Sequence, residues 1–154
     1  MTETFRELLI AVEADESGDL DSIIARRRPE DFEALRSLLT LDPAVKQLHR
    51  AKAIYALGRW GDPAVVQELW DILPGLDEDE RTKAIDALGR LGTDDALDAI
   101  LAYADDPSMP VRLFVTRALA RINTPRARAR LSEFERTDPS DQIRSLAARH
   151  RSPG

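Results

Sequence analysis

Apolar residues recur along most of the chain at i, i+3, i+4 and i+7, the spacing that gathers them on one face of an α-helix. Val111, Phe114, Val115, Ala118, Leu119 and Ile122 form one such stripe. The stripe returns every 31 residues. Residues 50–61, 81–92 and 112–123 superpose without a gap, aligning Arg50 with Arg81 and Arg112, and Ala56 with Ala87 and Ala118. Leu57, Leu88 and Leu119 share the next column, followed by Gly58, Gly89 and Ala120, then Arg59, Arg90 and Arg121. The segments between these copies align as well: Val66, Leu97 and the stem of Arg128 in one column, Leu69, Ile100 and Leu131 in the next, and Ile72, Tyr103 and Phe134 in a third. One copy earlier, Leu35, Leu38 and Leu41 take those places, and a weaker copy before it supplies Ile23, Ala25 and Arg28. The last copy continues into residues 143–147 with one extra residue.

The polar punctuation divides each copy into two helices. Asp62-Pro63, Thr93-Asp94 and Thr124-Pro125 place a side-chain acceptor at a helix start, with proline suited to the first turn. Gly61 and Gly92 end the second helices, where a left-handed residue lets the chain reverse. Asp42-Pro43, Pro74-Gly75, Asp106-Pro107 and Asp138-Pro139 break the chain inside each hairpin. Nothing reads as a strand. The expectation is an all-α fold, a short α-α superhelix (solenoid) of about five hairpins near residues 2–28, 30–60, 62–91, 93–122 and 124–150, forming one domain over 1–154. One hairpin of this length cannot bury a core alone, so the hairpins must stack.

The pattern Val-Arg-x-x-Ala-x-x-Ala-Leu-Gly-x-Ile-Gly-Asp-Pro, followed by an apolar helix, resembles the HEAT-like repeat named after phycobilisome lyases. Residues 49–63, 80–94 and 111–125 match it in turn. The resemblance is good over residues 30–150 and weak over 2–28. It implies an armadillo-type solenoid. It leaves function open, because the family includes scaffolds, lyase subunits, hydroxylases and modules appended to enzymes. Relatives of the wider HEAT class pair an Asp in the inter-helix turn with an Arg six residues later. Asp106 with Arg112 and Asp138 with Arg144 have that spacing; Arg50 and Arg81 do not, since Ala44 and Gly75 occupy the matching positions.

Composition narrows the chemistry. The chain has 154 residues and no cysteine, which removes disulfides, thiolate metal sites and cysteine nucleophiles. The two histidines, His49 and His150, stand apart, and the acidic runs at 15–21 and 77–80 lack the glycine and glutamate spacing of a calcium loop. No phosphate loop or nucleophile elbow occurs. No catalytic residue, cofactor or metal is therefore expected. The N-terminal residues lack a basic start and an apolar run, and no segment is apolar enough to span a bilayer, so the expected location is cytoplasmic. Net charge is −6, unevenly spread: residues 1–110 carry 12 Lys/Arg and 24 Asp/Glu, residues 111–154 carry 10 and 4. This asymmetry suits an acidic protein partner at the C-terminal end, or self-association of unlike ends, and argues against nucleic-acid binding by the whole surface.

Three sets of residues carry the candidate recognition chemistry. Arg50, Arg81 and Arg112, near the starts of the second helices, oppose the helix dipole and need acidic or carbonyl partners. With Asp106, Asp138 and Arg144 they are expected to form a structural ladder. Arg59, Arg90 and Arg121 (with Arg28 one copy earlier) fall at the C-terminal ends, where the dipole favours cations, and suit a row that binds carboxylates or phosphates. Lys52 and Tyr55, Lys83 and Asp86, and Phe114 and Arg117 lie on the same strip and vary from copy to copy. The expected role is a non-catalytic adaptor or scaffold that binds a partner protein on the concave face formed by the second helices. The alternative is an accessory subunit of an enzyme resembling phycobilin lyases.

Overall fold

In the computed structural model, capping side chains start the helices where the sequence places them. Asp62 accepts from the Ala64 amide at 2.9 Å, Thr93 from Ala96 at 3.1 Å and Thr124 from Ala127 at 3.2 Å. Asp77, Ser108 and Ser140 do the same for the second helix of their hairpins. At the far ends Gly61 (φ 80°) and Gly92 (φ 67°) adopt the left-handed conformation, and Asn123 takes that role in the next copy (φ 54°).

The structure describes residues 3–4, 7–8, 10, 17–40 and 47–151, with backbone only at 17–19 and 47–48. The Asp42-Pro43 break, Leu41, Ala44 and the first two acids of the 15–21 run lie outside them. The helices are α1 (Ser17–Arg26), α2 (Pro29–Ser37), α3 (Gln47–Trp60), α4 (Val66–Ile72), α5 (Glu78–Leu91), α6 (Asp94–Leu101), α7 (Met109–Ile122), α8 (Pro125–Thr137) and α9 (Asp141–His150). Single 3₁₀ turns, Pro63–Val65 and Leu73–Gly75, flank α4. No strand occurs among the described residues.

The odd-numbered helices form one layer: α1 packs on α3, α3 on α5, α5 on α7 and α7 on α9. The even-numbered helices lie against them, and α4 packs on α6. The core lies between the layers, where Leu57, Leu88 and Leu119 meet Leu69, Ile100 and Leu131, all fully buried. This is the fold of a HEAT-like helical solenoid.

The 31-residue period sets the spacing of the odd layer. A Cβ on Gly58 would lie 2.8 Å from both Cα and Cβ of Ala87; one on Gly89 would lie 2.8 Å from Ala118 Cβ and 3.0 Å from its Cα. The glycine column of one copy thus seats on the alanine column of the next, and α3, α5 and α7 approach backbone to backbone. Ala120, the third member of the glycine column, is partly exposed. In the weak first copy, Ala25 is exposed rather than buried.

Candidate functional site

Close packing of α3, α5 and α7 brings corresponding residues of successive copies side by side. At the N-terminal ends of these helices each arginine is engaged. Arg50 donates to Glu80 of the next copy, at 2.5 and 2.8 Å, and the Glu80 carboxylate is almost fully buried. Arg81 donates to Asp106 at 3.4 Å and to the Leu76 carbonyl at 2.9 Å. Arg112 donates to Asp138 at 3.0 Å and to the carbonyls of Asp106 and Pro107 at 2.9 and 3.1 Å.

The six-residue Asp–Arg spacing therefore acts differently from a carboxylate pair. Arg112 takes the carbonyl oxygen of Asp106, and Arg144 the carbonyl of Asp138 at 2.5 Å. The carboxylates of the same aspartates reach back to the arginine of the preceding copy and accept the amides of Ser108 and Ser140 at 2.8 and 2.9 Å. Each turn aspartate joins two copies because its three acceptor oxygens point in different directions. Arg144 also pairs with Asp141 on its own helix. A recess of about 480 Å³ lies beside these turns, lined by Asp106, Arg112, Arg130, Phe134 and Asp138. Its cations are already matched: Arg130 bonds Asp105 and Glu133 at 2.6 Å each, with its guanidinium 5.0 Å from the Phe134 ring centre.

Along the middle of α3, and from the first turns of α5 and α7 toward their middles, the arrangement changes. A groove of about 450 Å³ crosses the three helices, lined by Tyr55 of α3, by Glu78, Asp79, Thr82, Lys83 and Asp86 of α5, and by Pro110 and Phe114 of α7. Four strip residues singled out from sequence thus meet in one depression: Tyr55, Lys83, Asp86 and Phe114. Lys83 pairs with Asp79 at 2.6 Å and Asp86 with Arg90 at 3.0 Å. At the two ends the charges face rings. The Arg59 guanidinium lies 4.9 Å from the Tyr55 ring centre, and the Arg117 guanidinium 5.2 Å from that of Phe114. Arg59, Arg117 and Arg121 are exposed, and Lys52 is half-buried on the same layer.

Arg28 does not join the Arg59, Arg90, Arg121 row. α1 ends at Arg26, Arg27 turns left-handed (φ 53°), and Arg28 is the N-cap of α2. Its guanidinium bonds Asp31 at 2.8 and 3.0 Å, and this hydrogen bonding holds its pKa above the ordinary arginine value. The first copy is too irregular for the 31-residue register to carry back that far.

Several contacts have no counterpart in the sequence columns. Arg36 of α2 reaches Glu68 of α4 at 2.9 and 3.1 Å, which raises the Arg36 pKa, and Arg126 of α8 pairs with Asp98 of α6. These tie even-numbered helices across copies. Arg27 caps Trp60, donating to its carbonyl at 2.8 Å while lying over its ring, and Trp60 itself is buried against Phe32. Pro110, Thr82 and Glu78 line the groove although nothing in their columns marks them. Among the described residues there is no cluster of three or more candidate metal ligands, and no helix is long and apolar enough to cross a membrane.

Comparison with known proteins places this architecture. No curated protein matches by sequence. Among solved structures, the chain is similar to one in the complex of CpcE and CpcF of phycocyanin lyase from Nostoc sp. PCC7120, with a TM-score of 0.65 and 21% identity. The match covers 89% of this chain and 100% of that one, and at this identity it speaks for the fold. Residues 71–150, just over half of the chain, match the family model of HEAT repeats. With its stacked hairpins and 31-residue period, the chain belongs to the HEAT-repeat family.

Proposed function

We propose that this protein is a non-catalytic interaction module, an adaptor or scaffold, that binds a partner protein on the concave face formed by α3, α5 and α7. The observation that carries the reading is the groove in which Tyr55, Lys83, Asp86 and Phe114 converge, bordered by Arg59, Arg90 and Arg117. Aromatic and arginine side chains in a depression are the types that dominate binding energy at protein interfaces. The turn-edge residues Arg50, Arg81, Arg112, Asp106, Asp138 and Arg144 serve stability instead: their charges are spent on one another and on turn carbonyls. Lys52 and Arg121 extend the recognition strip at its margins. The whole chain acts as one such domain.

A displayed peptide library panned against the protein tests this. Recovered ligands should lose affinity for a Tyr55→Ala/Phe114→Ala variant that keeps its helical circular dichroism. Ligands indifferent to that pair of changes would move recognition off the groove.

A second reading is favoured by the structural similarity alone: an accessory subunit of a lyase-type enzyme, as the matched chain belongs to a two-protein lyase complex. Adding a free bilin and recording its absorbance tests it; an unchanged spectrum, with and without a candidate partner subunit, counts against it.

A further inference from the structure

The groove is bordered by two similar devices. On α3 the Arg59 guanidinium lies over Tyr55, four residues earlier, and on α7 that of Arg117 lies over Phe114, three residues earlier. A guanidinium on a ring uses its face for the stack and keeps its N–H donors in the plane, directed outward. Both arginines are exposed. An arginine held over a ring in this way has less rotamer entropy left to lose when a ligand arrives.

The charges between them are matched differently. Asp79 pairs with Lys83, and Asp86 with Arg90. These four neutralise one another, and Glu78, which also lines the groove, remains as an exposed acid. Arg59, Arg117 and neighbouring Arg121 are exposed cations, so the border carries a positive excess on a chain whose net charge is −6. The floor between them is apolar on two sides, from Tyr55 and from Pro110 with Phe114.

Resting on the groove as the recognition surface, we propose that its occupant is an acidic segment of a partner protein with an apolar anchor: a leucyl or aromatic side chain enters between Tyr55 and Phe114, and flanking carboxylates meet Arg59 and Arg117. A nucleic acid fits less well: its backbone carries a charge at every nucleotide and would set phosphates over Glu78, Asp79 and Asp86, where the peptide places its uncharged anchor.

The test uses the full chain and a fluorescein-labelled synthetic peptide of alternating Asp and Ser around a central Leu-Phe pair, followed by anisotropy. Saturable binding is expected, weakening as salt rises. Arg117→Glu should reduce affinity by about tenfold or more, as should Phe114→Ala, the scale of losing one interface hot spot. Arg117 is exposed, so its variant keeps the test decisive if Phe114→Ala does not fold. A peptide with Ser in place of Leu-Phe should bind weakly, and one with Lys in place of Asp should not bind. Equal or tighter binding of the Lys peptide, or of an oligouridine, would overturn the proposal, as would acidic-peptide binding indifferent to Arg59 and Arg117. If library ligands require Tyr55 and Phe114 but prove basic or neutral, the acidic partner is wrong and the groove stands. If they ignore Tyr55 and Phe114, the groove itself is wrong.

Discussion

The two ends of the second helices use the same residue in opposite ways. At the N-terminal end, Arg50, Arg81 and Arg112 sit where the helix dipole repels a cation, and every one is held by a carboxylate of the next copy. At the C-terminal end the dipole welcomes a cation: Arg59 and Arg121 are exposed, with Arg59 leaning on a ring, and among the described residues Arg90 pairs only within its own helix, with Asp86. An arginine column in a repeat protein is therefore not one kind of object. Where the backbone field opposes the charge, the fold must satisfy it internally; where the field supports the charge, it can be left for something outside.

The sharpest way to break this contrast is at Asp138, which is buried and joins Arg112 to the turn. Asp138→Ala should cost about 3 kcal/mol in urea unfolding, because it strands a largely buried guanidinium. Next, Gly89→Ala inserts a methyl 2.8 Å from Ala118 and should cost about 1–3 kcal/mol, measurable in the same way. A neutral result would mean that the odd layer is not locked at that spacing, and that its two edges are not held in register. Arg121→Ala and Arg59→Gln should shift stability by less than about 0.5 kcal/mol. A loss from either that rivals Asp138→Ala would erase the distinction between the two ends.

The smallest expected effect concerns Tyr103, beside Arg81 on the satisfied edge. Its hydroxyl pKa is raised above the ordinary 10.0, chiefly by burial, with Arg81 opposing the rise. The raised folded value makes the neutral form the stabilising one. Its contribution is complete below about pH 10 and disappears as pH climbs through the folded value. Tyr103→Phe should flatten the alkaline limb of a melting-temperature profile while leaving neutral pH almost unchanged.

Much of this was legible along the chain. Helix starts at Thr93 and Thr124 and ends at Gly61 and Gly92 are local events, decided by one side chain or one backbone conformation. The core columns Leu57/Leu88/Leu119 and Leu69/Ile100/Leu131 follow from periodicity. The strip residues Tyr55, Lys83, Asp86 and Phe114 stood out because their types vary where the core columns do not. Other features were hidden. Glu80 as the partner of Arg50 replaces a turn aspartate absent from its copy, and it lies on a helix rather than in a turn, so no column points to it. The pairs Arg36 with Glu68 and Arg126 with Asp98 join even-numbered helices at unequal spacings of 32 and 28 residues, so no single period predicts both.

The sequence by itself determined the hairpins, their period and which residues face the core, because helix caps and apolar spacing act within a few residues. Only the tertiary structure decided how the charges were shared. Whether Asp106 bonds Arg112 through its carboxylate or its carbonyl depends on where the preceding copy brings Arg81, and whether Tyr55 and Phe114 share a groove depends on how closely Gly58 and Gly89 let three helices approach. Those distances are set between copies, by backbone contact, and no single copy contains them.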